Sequence, residues 1–333
     1  MLSTQDAKLW RHFNMNQNQQ GFTLIELMVA LSLGLLVSAA AIQLFITSQK
    51  SAASQQGMMN LQNSSIFGLE TMVRDIRQAN LRAREPYMDD KTVSGGVVLT
   101  ANNLSTYKNA AGSFAFNIDP GLLSKGNAGS SNLQGLQSDQ LVIQYRVNGP
   151  NHFDCEGNSI PANTFVVQRY FVRADTKALT TEPNAGLALA CKAARYLTSD
   201  ISTKATLTGL DGAGQIIIPR VDHFSVLLGV AKDGMNAACN ATATSDAILD
   251  CFGYVDLETY KSLTTKPQIV SVKIAILVRS MDTVGRNEFF DKEKVYKVLN
   301  RQAVLKEHDR NNQYLRSVVS QTIALRNGFG IEK

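Results

Sequence analysis

The chain reads as an α+β protein, one long N-terminal helix laid across an antiparallel β-sheet, and three observations predict this. First, Phe22 to Ile46 is a run of 25 residues whose only charge is Glu26. At ~1.5 Å rise per residue, a helix of that length crosses a bilayer core of roughly 30 Å with some tilt. Second, the chain turns polar at Ser48-Gln49-Lys50-Ser51, yet Ile66, Leu69, Met72 or Val73, and Ile76 recur at the spacing of one helix face. Third, four later segments are rich in Val, Ile, Phe and Tyr, the residues that fit a pleated, half-buried surface.

Taken in order, the apolar run and its polar continuation form one helix from Phe22 to about Arg82, with Pro86 as the first strong stop. Glu70 and Arg74 form an i,i+4 pair away from the apolar face. Gly57 and Gly68 each weaken the helix by up to ~1 kcal/mol relative to alanine. Residues 101–138 are rich in Asn, Ser and Gly, with Asp119-Pro120-Gly121 as a turn signal, and read as a long surface connection with little regular structure. The strands are Leu141–Val147, Phe165–Arg173, Phe224–Val230 and Ile269–Arg279. In the last, Val270, Val272, Ile274, Ile276 and Val278 share one face, which is therefore buried. The expected divisions are a polar segment at 1–21, a membrane helix at 22–46, its amphipathic continuation at 47–84 and a β-rich globular domain at 85–333.

The charge balance excludes little. With 33 basic and 28 acidic residues the net charge is +5, and it falls by one if residues 1–21, with Asp6, Lys8 and Arg11, are removed. Lys8 and Arg11 precede the apolar run, so the positive-inside rule places the N-terminus in the cytoplasm and the rest outside it. No second apolar run approaches 18 residues: IVSVKIAILV at 269–278 is short and carries Lys273. Cys155, Cys191, Cys239 and Cys251 all fall in the exported part, where an even number reads as disulfides. Three pairings exist; nearest-neighbour pairing, Cys155–Cys191 and Cys239–Cys251, closes two local loops and is the one expected. Zinc is the alternative, but there is no CxxC, and neither His152 nor His223 stands at ligand spacing.

The order of features around Gly21 is unusual. A secretory signal places its small-residue cleavage site after the apolar stretch, whereas Gly21 stands before it. A cut there leaves the hydrophobic helix as the new terminus, with a free ammonium on Phe22 and Glu26 one turn away. Gly21-Phe22-Thr23-Leu24-Ile25-Glu26-Leu27 followed by an apolar helix resembles the type IV prepilins and the pseudopilins of type II secretion. The resemblance implies cleavage between Gly21 and Phe22 by a prepilin peptidase, N-methylation of Phe22 and assembly into a helical filament. Met15 offers a second start with a shorter leader that has neither Lys nor Arg.

Two later strings narrow the resemblance. Tyr314-Leu315-Arg316-Ser317-Val318-Val319-Ser320-Gln321-Thr322-Ile323-Ala324-Leu325-Arg326-Asn327 is similar to the terminal motif of the PilW group of minor pilins. So is Cys155-Glu156-Gly157-Asn158, followed by VVQRYFVR and Leu187-Ala188-Leu189-Ala190-Cys191; in that group the two cysteines flank a strand. Membership implies a single-pass inner-membrane protein that passes to the pilus tip and helps prime assembly. The implied partners are PilV-, PilX- and FimU/PilE-like minor pilins, a PilY1-like tip adhesin and the major pilin, with twitching motility as the outcome. The group is also similar to GspJ pseudopilins.

Glu26 is the residue with chemistry to explain. A lone carboxylate in lipid costs at least ~2.5 kcal/mol and calls for a partner. Pairing with the Phe22 ammonium of a neighbouring subunit sets the axial register between subunits, while Gly34, Ser38 and Ala39 to Ala41 let helices approach closely. The competing pairing is within one chain. Catalysis finds no support: His12, His152, His223 and His308 are scattered, and no Ser-His-Asp, HExxH or phosphate-loop spacing occurs. Asp89-Asp90 lacks the alternating oxygen ligands of a calcium loop and reads as a solvated turn. No cofactor or metal is expected. Nucleic-acid binding rests only on nine basic against five acidic residues in 291–333, with Arg310, Arg316 and Arg326 as the candidates.

Overall fold

The computed structural model describes residues 21–104, 117–176, 186–197, 207–233, 249–283 and 291–330. The elements are α1 (Leu24–Arg77), β1 (Lys125–Gly129), β2 (Ser138–Val147), β3 (His152–Phe153), β4 (Ser159–Ile160), β5 (Thr164–Ala174), β6 (Leu187–Leu197), β7 (Gln215–Pro219), β8 (Val221–Asp233), β9 (Leu249–Asp256), α2 (Leu257–Ser262), β10 (Gln268–Thr283), β11 (Tyr296–Val298), β12 (Arg301–Ala303), α3 (Glu307–Arg310) and β13 (Tyr314–Ala324). The chain divides into two compact units, Met1–Ala52 and Ala53–Lys333, and α1 runs through the division. The fold class is the expected α+β. The sheet, however, is two sheets: five strands in the order β1-β2-β5-β6-β7, and four in the order β13-β10-β8-β9, every pairing antiparallel.

Both sheets turn apolar faces to the second half of α1. Leu61, Leu69, Met72, Val73 and Ile76 join Leu141, Ile143 and Tyr170 of the first sheet and Phe224, Val226, Val272, Ile274 and Ile276 of the second in one buried cluster. Ile66, expected on that face, is 55% exposed. The buried line runs Leu61, Ser65, Leu69, Met72, Ile76, and one residue further on a helix rotates the side chain by about 100° away from it. Gly68 has a use that its propensity cost concealed. A Cβ there would stand 2.3 Å from Ile218 Cγ1 and 2.8 Å from the Ile217 carbonyl, so its bare backbone lets α1 lie against β7.

The helix stops at Arg77, short of the expected Arg82, because Asn80 and Arg82 take left-handed backbone conformations with φ of 65° and 57°. Asn80 holds this end in place. Its Oδ1 accepts from Gly96 N at 2.9 Å, and its Nδ2 donates to the carbonyls of Glu85 and Asn327 at 3.1 and 2.8 Å.

Residues 101–138 are not a bare connection. Residues 105–116 lie outside the described residues; the described remainder contains two single 3₁₀ turns and β1, and Leu104, Ile118 and Leu123 cover the far face of the first sheet with Val142, Phe165, Val167 and Tyr196. That sheet is apolar on both faces, so it needs a lid. The hairpin β11–β12 does the same for part of the second sheet, where Tyr296 and Val298 bury Ala275 and Leu277. In β10, Val270 is an extra residue between Ile269 and Ser271 opposite β8, and this bulge brings Ile269 rather than Val270 into the core cluster.

His223, on β8, is buried and its Nδ1 lies 2.9 Å from Ser131 Oγ. Burial, reinforced by the Arg301 guanidinium, pushes its pKa from 6.5 to about 4. Between those pH values the unfolded chain takes up a proton that the folded chain refuses, so stability falls as the pH falls through this window. The loss reaches roughly 3 kcal/mol at its acid end. His223→Gln is expected to remove that part of the slope when urea midpoints of the two proteins are compared from pH 7 to pH 4.

Candidate functional site

The start of α1 is fixed by its own sequence. Thr23 caps it: the Glu26 N–H donates to Thr23 Oγ1 at 3.3 Å. In return the Glu26 carboxylate accepts from the Thr23 N–H and hydroxyl, both at 2.9 Å. This reciprocal arrangement is a capping box, which Thr23-Leu24-Ile25-Glu26 spells as T-x-x-E. Sequence reasoning misses it although the spacing is plain, because a carboxylate inside an apolar run stands out as a buried charge and not as a cap. Phe22 lies just outside the helix, 91% exposed, and a Cβ on Gly21 would touch nothing within 4 Å.

From Leu24 to Ile46 the side chains are exposed within their unit, and α1 is long and apolar enough to cross a membrane. The Ser32 hydroxyl folds back onto the Met28 carbonyl at 2.8 Å, which satisfies it without a partner helix. Gly34 has open space where a Cβ would stand, and Ser38 and Ala39 to Ala41 add further small, exposed positions.

In the second unit Cys155 and Cys191 form the expected disulfide, with Cα atoms 6.1 Å apart, and they flank β5 in the sequence. The bridge ties the turn before β4 to the middle of β6. Around it Glu156 accepts from Lys192 Nζ at 3.1 Å and from the Ala193 N–H at 3.0 Å, and Asp154 pairs with Arg195. Replacing both cysteines with serine is expected to cost about 2–4 kcal/mol, read as a lower urea midpoint under non-reducing conditions. Cys251 lies on β9, whereas Cys239 lies outside the described residues, as does His12.

The arginines considered for nucleic acid are mostly engaged. Arg316 is buried, its Nε donating to Asp222 Oδ2 at 2.7 Å, which removes it as a phosphate contact. Arg310 donates to both Glu293 oxygens at 2.9 and 3.1 Å and to Gln134. Arg326 is exposed. Asp89 caps its own turn, accepting from the backbone N–H groups of Lys91 and Thr92 at 2.8 and 2.6 Å. Among the described residues no group of three or more His, Cys, Asp or Glu side chains is placed to hold a metal ion.

Residues 16–42 match the prokaryotic N-terminal methylation motif. Residues 169–327 match the family described as type IV pilus-assembly protein W. A search of curated proteins gives no match. Among solved structures the chain is similar to the type IV-like pilin TTHA1219 from Thermus thermophilus, with 12% identity, 80% of this chain and 96% of that one covered, and a TM-score of 0.35. A superposition that loose says nothing about function. A methylation motif leading into a long apolar helix, whose second half packs on antiparallel sheets, fits a pilin-class protein anchored in the inner membrane. Within that class the match to the type IV pilus-assembly protein W family covers residues 169–327, just under half of the chain.

Proposed function

We propose that this chain is a minor pilin of the PilW group that helps prime type IV pilus assembly, as one member of an inner-membrane and tip complex with PilV-, PilX- and FimU/PilE-like pilins and a PilY1-like adhesin, ahead of the major pilin. The observation that carries the reading is the pairing of a methylation-motif helix with a family-W domain in one chain. In this reading a prepilin peptidase removes residues 1–21 on the cytoplasmic side, and Phe22 is then methylated. Residues 22–46 sit first in the bilayer and then in the filament core, residues 47–84 continue the helix, and 85–333 form the exported domain. The bridge Cys239–Cys251 belongs to the same proposal. Glu26 pairs with the Phe22 ammonium of a neighbouring subunit, a contact strengthened by low dielectric and sensitive to axial offset.

The test is deletion with complementation. Loss of the chain should abolish surface pili and twitching while leaving secretion intact, and complementation with Gly21→Val should fail with the precursor mass retained. A secretion defect with normal pili would instead identify a GspJ-like pseudopilin. Mature protein that retains residues 1–21 would remove the basis of the assembly mechanism.

A further inference from the structure

We infer that the outer edge of β13, with the trough beside it on α1, is the docking site for an extended, acidic strand of a second, different protein. The inference rests on the reading that this chain works in a complex of unlike subunits, and it names the surface used.

The first observation is the edge itself. β13 stands last in its sheet and pairs with β10 on one side, from Ser271↔Ala324 to Leu277↔Val318 and beyond. Among the described residues no strand pairs with its other side. Sheet edges ordinarily carry charge, proline or a covering segment that blocks further pairing. The other edges here follow that rule: β9 carries Asp250 and Asp256, β7 ends in Pro219, and β1 has only five residues. β13 breaks it, since Ser317-Val318-Val319-Ser320-Gln321-Thr322-Ile323-Ala324 holds neither a charge nor a proline.

The second observation is the space beside it. Val319 and Gln321 face a trough of about 730 Å³ whose opposite wall is the outward flank of α1. That wall includes Ile66 and Phe67, which are 55% and 69% exposed. A strand added at the usual ~4.8 Å spacing would satisfy the open backbone groups of β13 and drop alternate side chains into this trough. The two large apolar side chains that the core does not use would then be covered.

The third observation is charge, and it selects the occupant. The acid and base side chains lining the trough are Glu70, Arg74 and Arg77, a surplus of one positive charge in a chain that is itself basic. Pairing β13 with β13 of a second copy would bring the arginines of both copies together, which like-charge repulsion opposes. A partner strand with carboxylates on its trough-facing side complements them.

The full chain, expressed in its own cells with a benzophenone amino acid in place of Thr322, tests this by photo-crosslinking and mapping of the joined peptide. The expected product joins Thr322 to an extended segment of another protein that carries at least one Asp or Glu. Arg74→Glu with Arg77→Glu should then cut the yield tenfold or more, and a Lys in place of the mapped carboxylate should restore it. Both arginines are exposed, and formation of the Cys155–Cys191 bridge reports that the variant has folded. No product, a product with a second copy of this chain, a product with a helical segment, or a yield indifferent to the charge reversal would each overturn the inference. Piliation in the same strains separates the two claims: pili that need the chain but show no such product refute the docking site alone.

Discussion

Glu26→Gln, like Glu26→Ala, is expected to leave processing intact yet reduce piliation at least tenfold. The contrast matters because the cap seen in the structure and the proposed intersubunit pairing are two different roles for Glu26. Its carboxylate closes a capping box with Thr23, with both contacts at 2.9 Å, which satisfies donors at the helix start. Glutamine accepts hydrogen bonds at the same position and so keeps the cap, but it carries no charge to offer an ammonium. Thr23→Val is the converse, since it removes the hydroxyl and retains the charge. If capping were the whole role of Glu26, the Gln variant would make normal pili and the Val variant would not. If intersubunit pairing dominates, the order reverses. Surface pili sheared from complemented strains, counted against cell-envelope levels of each variant, decide between the two. Wild-type piliation of Glu26→Gln would refute the pairing role.

How much of the fold is legible in the sequence depends on the kind of signal. Long periodic signals survive: α1 begins within two residues of its expected start, and the four expected strands lie inside β2, β5, β8 and β10. Strands without β-branched density do not register. Leu187–Leu197, with its Ala, Cys and Lys, has the composition of a helix, and it is a strand because β5 and β7 flank it on both sides. Tyr314–Ala324 stands out in the sequence as a motif and not as a strand. The division into two sheets comes from a corner that no periodicity encodes. Arg220, between β7 and β8, has a φ of 58°, and its Nη1 is held by Asp175 Oδ2 at 2.6 Å.

The candidate site divides in the same way. The methylation motif is readable because its pattern is local to residues 16–42, and the Cys155–Cys191 bridge because few pairings exist. The long-range partners of charged residues are not readable. Arg316 looks like a surface cation within a basic tail, but it pairs with a carboxylate 94 positions earlier in the chain. Spacing along the sequence carries no trace of such a contact.

That carboxylate, Asp222, leads to the largest stability effect expected in the chain. Its Oδ2 accepts from Arg316 Nε at 2.7 Å, its Oδ1 accepts from Asn132 Nδ2 at 2.7 Å, and Arg279 Nε lies 3.6 Å from Oδ1. All three charged side chains are fully buried, and the Arg279 guanidinium stacks 4.3 Å from the centre of the Tyr314 ring. One acid thus serves two guanidiniums drawn from β10 and β13, with Asp309 Oδ1 at 4.0 Å from Arg316 as a weaker second. Removing the shared partner leaves two cations in a site that water does not reach, and such losses cost about 3–5 kcal/mol. Asp222→Ala is therefore expected to lower the urea midpoint more than loss of the disulfide does. Replacing the three side chains at once, with Asp222→Leu, Arg279→Met and Arg316→Met, should recover part of the loss, because desolvation of the charges offsets much of their mutual attraction while Asp309 loses Arg316. Asp222→Ala with unchanged stability would mean that the two guanidiniums are held by groups other than this carboxylate.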